Sequence, residues 1–212
     1  MSEFSVNQIL CIVTCIISVG IFSAKEIGEK LLHIPYNEYH KNEKYRLLTS
    51  GFIHADFMHL LFNMIALFSF GSNVEDWFSQ ADMFGENGTV VYVLFYLVAI
   101  VAASLPTYAE HKNNPYYRAL GASGAIAAVI FASIINSPMS MILMPFPMPG
   151  FVFGILYLWY ENSLSKKNND NIGHNTHFYG ALFGVLFIAV FKTKALFTCF
   201  EEIIFTVKGL FS

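Results

Sequence analysis

The spacing of the charged residues constrains this chain more than any other sequence feature. Five stretches contain no Asp, Glu, Lys or Arg: 4–24, 57–74, 87–109, 119–160 and 171–191. An apolar run of about 18 residues or more without charge can cross the hydrocarbon core of a bilayer as a helix. Because these stretches make up more than half of the 212 residues, we predict a multi-pass integral membrane protein.

The longest stretch, 119–160, is about twice as long as one membrane helix requires. Four prolines interrupt it within 137–150, and closely spaced prolines cannot continue a helix. We therefore predict two helices joined by an apolar turn. The six predicted spans are 6–24, 57–77, 89–108, 121–136, 150–164 and 174–191.

The predicted fold is an all-α bundle of six transmembrane helices that forms one domain, 1–191. The connection 25–55 mixes charged residues with leucines and tyrosines, which is typical of a segment that lies in the headgroup region. We therefore predict an interfacial first loop. The tail 192–212 has a similar mixture and is predicted to be an interfacial amphipathic helix, with a seventh span as the alternative.

The low charge content excludes several function classes. Charged residues make up 13% of the chain, against about 25% in soluble domains. The net charge is −3, so no basic patch is available to neutralise the phosphates of a nucleic acid. No ionisable residue with a permanent charge lies in the middle of a span, which disfavours an ion pump or transporter.

The few polar residues inside the spans are therefore the informative ones, since each must find a partner in the bilayer. Taken one at a time, Ser123 could bond a carbonyl one turn back, and His177 could bridge two helices. Gly180 and Gly184 form a small-residue pattern that allows close helix packing.

Taken together, these residues predict hydrolysis of an amide, which needs a nucleophile, a base and donors for the oxyanion. Ser123 supplies a hydroxyl and His177 a base. His59 and Asn63, four residues apart on one helix face, and the backbone N–H of Ser123 could supply the donors. Since spans four and six contain no acidic residue, we predict a Ser–His dyad without a third, acidic member.

The order and spacing of these residues resembles the rhomboid family of intramembrane serine proteases, over roughly 6–191. Four motifs carry the resemblance: Tyr45-Arg46, His54-x4-His59-x3-Asn63, Gly121-Ala-Ser123-Gly124 and His177-x2-Gly180-x3-Gly184. Gly71 and Glu75 also fit the family pattern.

The resemblance implies that Ser123 is the nucleophile, His177 the general base, and His59 with Asn63 the side-chain part of the oxyanion hole. It implies transmembrane protein substrates and no metal or cofactor. It also implies that the fifth helix, with the loop 165–176, opens the site. The implied supporting residues are His54, Gly121, Gly124 and Gly180 near the serine, and Arg46 as an anchor of the first loop.

One departure from the family concerns the surroundings of His177. Ala127 stands where the family often has an aromatic ring against the catalytic histidine, so another group must fix this imidazole. His174, one turn before, is a candidate, and it could alternatively line the route by which water enters. Both members of the dyad are present, which favours an active protease over a non-catalytic binder of membrane proteins. A histidine-based metal site ranks lower, because no His-Glu-x-x-His spacing occurs.

The side of the membrane on which the termini lie is predicted differently by charge and by the resemblance. The connections after spans one, three and five contain nine Lys and Arg residues, against three on the side of the termini. The positive-inside rule then places the termini outside. The resemblance implies cytoplasmic termini, and we retain that orientation, in a bacterial inner membrane, as the expectation. A reporter fused at residue 212 distinguishes cytoplasmic termini from termini outside.

Overall fold

The computed structural model describes residues 4–143, 146–165 and 174–209, and these are mostly helical. Seven longer helices form the body of the molecule: α1 (Val6–Ser23), α5 (Phe57–Phe78), α6 (Gly88–His111), α7 (Ser123–Asn136), α8 (Gly150–Ser165), α9 (His174–Phe191) and α10 (Thr193–Gly209). Three short helices lie in the first connection: α2 (Lys25–Leu31), α3 (Pro35–His40) and α4 (Arg46–Thr49).

A helix lies at each of the six predicted spans. Within the described ranges, three helices (α1, α5 and α6) are long and apolar enough to cross a membrane alone. The helices α9 and α10 meet at a bend of 112° and give a fourth crossing if they are counted as one broken span. By length and composition the described chain therefore has three or four spans, and the count of six stays a prediction.

The predicted turn between α7 and α8 contains a short antiparallel pair of strands, β1 (Met141–Ile142) and β2 (Met148–Pro149). This pair is a small exception to the all-α prediction. The N–H of Gly150 donates to the Ser140 carbonyl at 2.9 Å, and that of Phe151 to the Pro138 carbonyl at 3.0 Å. These bonds tie the first turn of α8 to the segment that directly follows α7.

The helix α7 lies at the centre of the bundle. Every residue from Gly124 to Ile135 is buried. On the α6 and α9 side, aromatic rings fill the core, with Phe95 and Phe187 at a centroid separation of 4.8 Å. Since buried aromatic pairs add to burial of apolar area, this packing holds α6 against α9, the helix that carries His177.

The first connection is folded, with a small apolar cluster of its own formed by Leu32, Ile34 and Ile53. His33 and Ala119 exchange backbone hydrogen bonds of 3.0 Å, which attach this connection to the segment just before α7. Its location among lipid headgroups stays a prediction. The tail forms the helix α10, with Cys199 buried against the core, and its place at the membrane interface stays a prediction.

The start of α1 is capped by the far end of α5. The Glu75 carboxylate accepts the backbone N–H groups of Val6 at 3.0 Å and Asn7 at 2.9 Å. Tyr92 donates its hydroxyl to Oδ1 of Asn7 at 2.7 Å. A buried carboxylate at a helix N-terminus satisfies N–H groups that have no intrahelical partner, so Glu75 has a structural role far from Ser123.

Arg46 holds the first connection together; its role as an anchor at the membrane interface stays a prediction. Its Nη1 donates to the carbonyls of Glu29 at 2.8 Å and Leu32 at 3.2 Å, and its Nε donates to Oε2 of Glu43 at 2.6 Å. The hydrogen bond from Arg46 lowers the pKa of the Glu43 carboxyl. One guanidinium thus joins α2, the segment after it and the turn before α4.

We expect Arg46→Lys to destabilise the protein by about 1–3 kcal/mol, because one ammonium cannot reproduce this fork and leaves buried carbonyls unsatisfied. Thermal unfolding in detergent measures the loss. The matched control is Arg118→Lys: the Arg118 side chain is 46% exposed and lies 3.8 Å from Glu29, so its substitution should change the midpoint little. An unchanged midpoint for Arg46→Lys would contradict the anchoring role.

Candidate active site

Ser123 and His177, far apart in sequence, are in hydrogen-bonding contact. Ser123 is the first residue of α7, and His177 lies in the first turn of α9. The distance from Oγ of Ser123 to Nε2 of His177 is 2.6 Å. A hydroxyl at this distance from an imidazole nitrogen can transfer its proton to it.

Close packing of α7 against α9 places these two side chains together. A Cβ on Gly180 would collide with the carbonyl oxygen of Gly124, and a Cβ on Gly184 would lie 2.9 Å from Cα of Ala128. Real Cβ atoms do not approach that closely, so only glycine permits this separation of the two backbones. Gly124 and Gly180 therefore let the two helix backbones touch; their supporting role in a reaction stays a prediction.

His59 borders the same space as the serine. A Cβ on Gly121 would lie 2.9 Å from Cε1 of His59 and 3.9 Å from Oγ of Ser123. Gly121 has φ +113°, a conformation that favours glycine. Asn63, one turn after His59, donates its Nδ2 to the His59 carbonyl at 2.8 Å. The amide has a second N–H, which this bond does not use.

His54 supports the backbone just before Ser123. The hydroxyl of Ser18 donates to the Phe52 carbonyl at 2.9 Å and lies 2.9 Å from Nδ1 of His54. The hydroxyl has one proton, so Nδ1–H of His54 is the donor to it. Nε2 then accepts the N–H of Ala122, at 3.4 Å. Ser18, which the sequence interpretation missed, thus sets the tautomer of His54.

The prediction that no acidic residue accompanies the dyad is wrong. Oε1 of Glu161 lies 3.0 Å from Nδ1 of His177. Glu161 is in the last two turns of α8, just past the charge-free stretch 119–160, and the prediction considered only spans four and six. Because Glu161 is 4% exposed, this carboxyl is buried among the helices instead of lying in solvent.

The remaining predicted residues are not described beside Ser123. Arg46 supports the first connection, where its hydrogen bonds to Glu29, Leu32 and Glu43 hold it. The side chain of His174 and most of the loop 165–176 lie outside the described residues. Within the part of the chain that the structure describes, no three His, Cys, Asp or Glu side chains are grouped as metal ligands would be.

Together, these groups provide a hydroxyl, an imidazole in contact with it, and a carboxyl on the far side of that imidazole. His59 and the first backbone N–H groups of α7 lie beside the hydroxyl, where helix N-termini favour negative charge. Such an arrangement can activate a hydroxyl for attack on a carbonyl and stabilise the oxyanion that forms.

Comparison with known proteins identifies relatives of the chain. It is 25% identical over 174 residues to rhomboid protease GlpG of Haemophilus influenzae, covering 79% of this chain and 83% of that protein. It is 30% identical over 159 residues to rhomboid protease GluP of Bacillus subtilis, covering 73% of this chain and 28% of that protein.

A plant relative, the mitochondrial RHOMBOID-like protein 12 of Arabidopsis thaliana, is 27% identical over 156 residues. The match covers 70% of this chain and 46% of that protein, so the chain spans less than half the length of the plant relative. Residues 41–194, which include Ser123, His177, His59 and Asn63, match the Rhomboid domain. The chain therefore belongs to the rhomboid family.

Proposed function

We propose that this protein is an intramembrane serine endopeptidase that cleaves transmembrane segments of other membrane proteins. The observation that carries the proposal is the 2.6 Å contact between Oγ of Ser123 and Nε2 of His177 at the start of two packed helices. The rhomboid proteases among its relatives support the same class of reaction.

Acylation begins with attack of the Ser123 hydroxyl on the carbonyl carbon of the scissile peptide. His177 takes the hydroxyl proton on Nε2 and later gives it to the leaving amine. The resulting acyl-enzyme is hydrolysed by water, which His177 activates in the same way. Because the proton moves over a contact that already exists, little rearrangement precedes attack.

The oxyanion of the tetrahedral intermediate is expected beside the start of α7. There the backbone N–H of Ser123 and the side chains of His59 and Asn63 are the available donors. Donors that are already oriented stabilise the developing charge without reorganisation, and losing one in a serine protease slows turnover by about 10²–10³-fold. Gly121 keeps this space open, because a side chain there would contact His59.

The substrate must lose part of its helix before the reaction. In a bilayer each backbone carbonyl of a transmembrane helix is hydrogen-bonded within that helix. A carbonyl can approach Ser123 only where those bonds open, which favours segments with helix-breaking or small residues near the cut. We place the enzyme in a bacterial cell membrane; the relatives from Haemophilus and Bacillus are bacterial, whereas the plant relative is mitochondrial.

A serine-directed fluorophosphonate tests the proposed nucleophile. We expect the purified protein to be labelled covalently and Ser123→Ala to remain unlabelled, since only a serine activated by a base reacts readily with such a probe. Gel fluorescence and intact mass measure the labelling.

Ser133→Ala is the matched control. Ser133 lies on the same helix and donates to Oδ1 of Asn73 at 3.0 Å. This variant should be labelled like the wild type. Equal labelling of the wild type and Ser123→Ala would overturn the assignment, and no labelling of a folded wild type would favour a non-catalytic binder.

A further inference from the structure

A buried carboxyl contacts the proposed general base on the ring edge away from Ser123. Oε1 of Glu161 lies 3.0 Å from Nδ1 of His177, whose Nε2 lies 2.6 Å from Oγ of Ser123. We propose that Glu161 is a positioning residue, so that the site is a Ser–His–Glu triad instead of a dyad. This inference rests on the proposed function.

The hydrogen bonds require one tautomer of His177. A carboxylate only accepts, so contact with Glu161 places the ring proton on Nδ1. The lone pair of the neutral ring is then on Nε2, the nitrogen that faces Ser123. Without an acceptor at Nδ1, the proton could occupy Nε2, and the imidazole could not act as the base.

The carboxyl also acts on the charged state. When His177 takes the serine proton it becomes an imidazolium, and a negative charge at 3.0 Å stabilises it. Glu161 is 4% exposed, so little water screens this attraction. The stabilisation is greatest when charge develops on the ring, which is the condition for a contribution to the rate.

The contact with Glu161 also supports the His177 imidazole at a place where Ala127 of α7 offers no ring. Ala127, one turn after Ser123 on α7, is 1% exposed and has only a methyl group with which to contact an imidazole. Ala127 itself therefore cannot orient the ring. Glu161 does so from α8. Tyr157, one turn earlier on α8, hydrogen-bonds to the Glu161 carboxyl, and its ring centroid lies 6.0 Å from that of Phe131.

Three substitutions at Glu161 test the proposal by cleavage kinetics and by the rate of phosphonate labelling. Glu161→Gln preserves the shape but removes the charge and can donate to the wrong ring nitrogen. We expect Gln and Ala to lower kcat and the labelling rate by about 10²–10⁴-fold with a small effect on KM. Glu161→Asp should restore part of the rate, because it keeps the charge.

A spectroscopic readout separates positioning from a general structural role. In protein with ¹⁵N-labelled histidine, the His177 signal, assigned by its absence in His177→Asn, should report the Nδ1–H tautomer. In Glu161→Gln it should shift toward Nε2–H. Glu75→Gln is the matched control, since Glu75 is also a buried carboxyl but caps α1. It should lower thermal stability and leave kcat per folded molecule and the tautomer unchanged.

The outcomes distinguish the two proposals. If the wild type cleaves substrate, Ser123→Ala does not, and Glu161→Gln keeps the wild-type kcat and tautomer, the triad is refuted while the protease survives. If Ser123→Ala cleaves as fast as the wild type, the proposed function itself fails. Should Glu161→Ala not fold, the isosteric Gln variant, compared with Asp, still decides between triad and dyad.

Discussion

Cleavage of a reconstituted transmembrane substrate is expected to fall by about 10⁴-fold or more in Ser123→Ala and equally in His177→Asn. Each residue is needed for the same proton transfer, so losing either one removes covalent catalysis completely. The double variant should therefore be no slower than either single one. Cutting rates in proteoliposomes, followed by gel or by release of a fluorescent fragment, measure the three losses.

The comparison of the double variant with the two single variants is the most decisive part of the test. Two residues that contributed separately would multiply their effects, whereas members of one catalytic unit do not. A double variant slower than both single ones would show that some catalysis persists without the serine. Equal activity of Ser123→Ala and the wild type would refute the assignment. Circular dichroism and a melting curve for each variant exclude unfolding as the cause.

A second large effect is expected from Gly180→Ala. The added Cβ would meet the carbonyl oxygen of Gly124, which is backbone and cannot move aside as a flexible side chain can. The helices α7 and α9 must then separate, at a cost of about 3 kcal/mol or more. Because that contact sets the approach of His177 to Ser123, both stability and phosphonate labelling should fall.

Gly20→Ala is the control for this substitution. Gly20 also lies within a helix, α1, but a Cβ there meets nothing within 4 Å. Alanine has the higher helix propensity by about 1 kcal/mol, so this variant should be as stable as the wild type or more so, with full labelling. A Gly180→Ala protein with wild-type stability and labelling would contradict the role given to the close helix contact.

Much of the fold could be predicted from charge alone. The helices α1 and α5 begin and end within a residue of the predicted spans, because charge-free apolar runs have few alternatives in a bilayer. The helix α6 runs past the predicted residue 108 to His111 and includes Pro106. A change from apolar to charged residues marks where a span ends, and the helix itself can continue beyond it.

The site was predictable where local spacing carried the information. His59 and Asn63 lie four apart, and Gly180 and Gly184 mark a helix contact, so their placement follows from helical geometry. Glu161 was missed because its partner, His177, is on another helix. The sequence places this glutamate next to the charged end of a span, where solvent is the ordinary environment, and only packing of α8 against α9 buries it.

On the proposed six-span topology, the short length of α7 determines how deep in the bilayer the proposed reaction takes place. Its 14 residues rise about 21 Å, whereas the hydrocarbon layer is about 30 Å thick. On that topology, with the Asn136 end at one interface, we expect the hydroxyl of Ser123 about 10 Å inside the opposite face. Water, the second substrate of the proposed hydrolysis, would then have to reach a layer that normally excludes it.

The same depth sets a rule for the substrate. A scissile carbonyl must reach that level, which corresponds to about six residues of helical rise from the end of a spanning segment. Cutting is then expected within the first two turns of the substrate's membrane segment, on the face where α7 begins. On the proposed function, the length of this one core helix would therefore set the position of the cut, together with the sequence of the substrate.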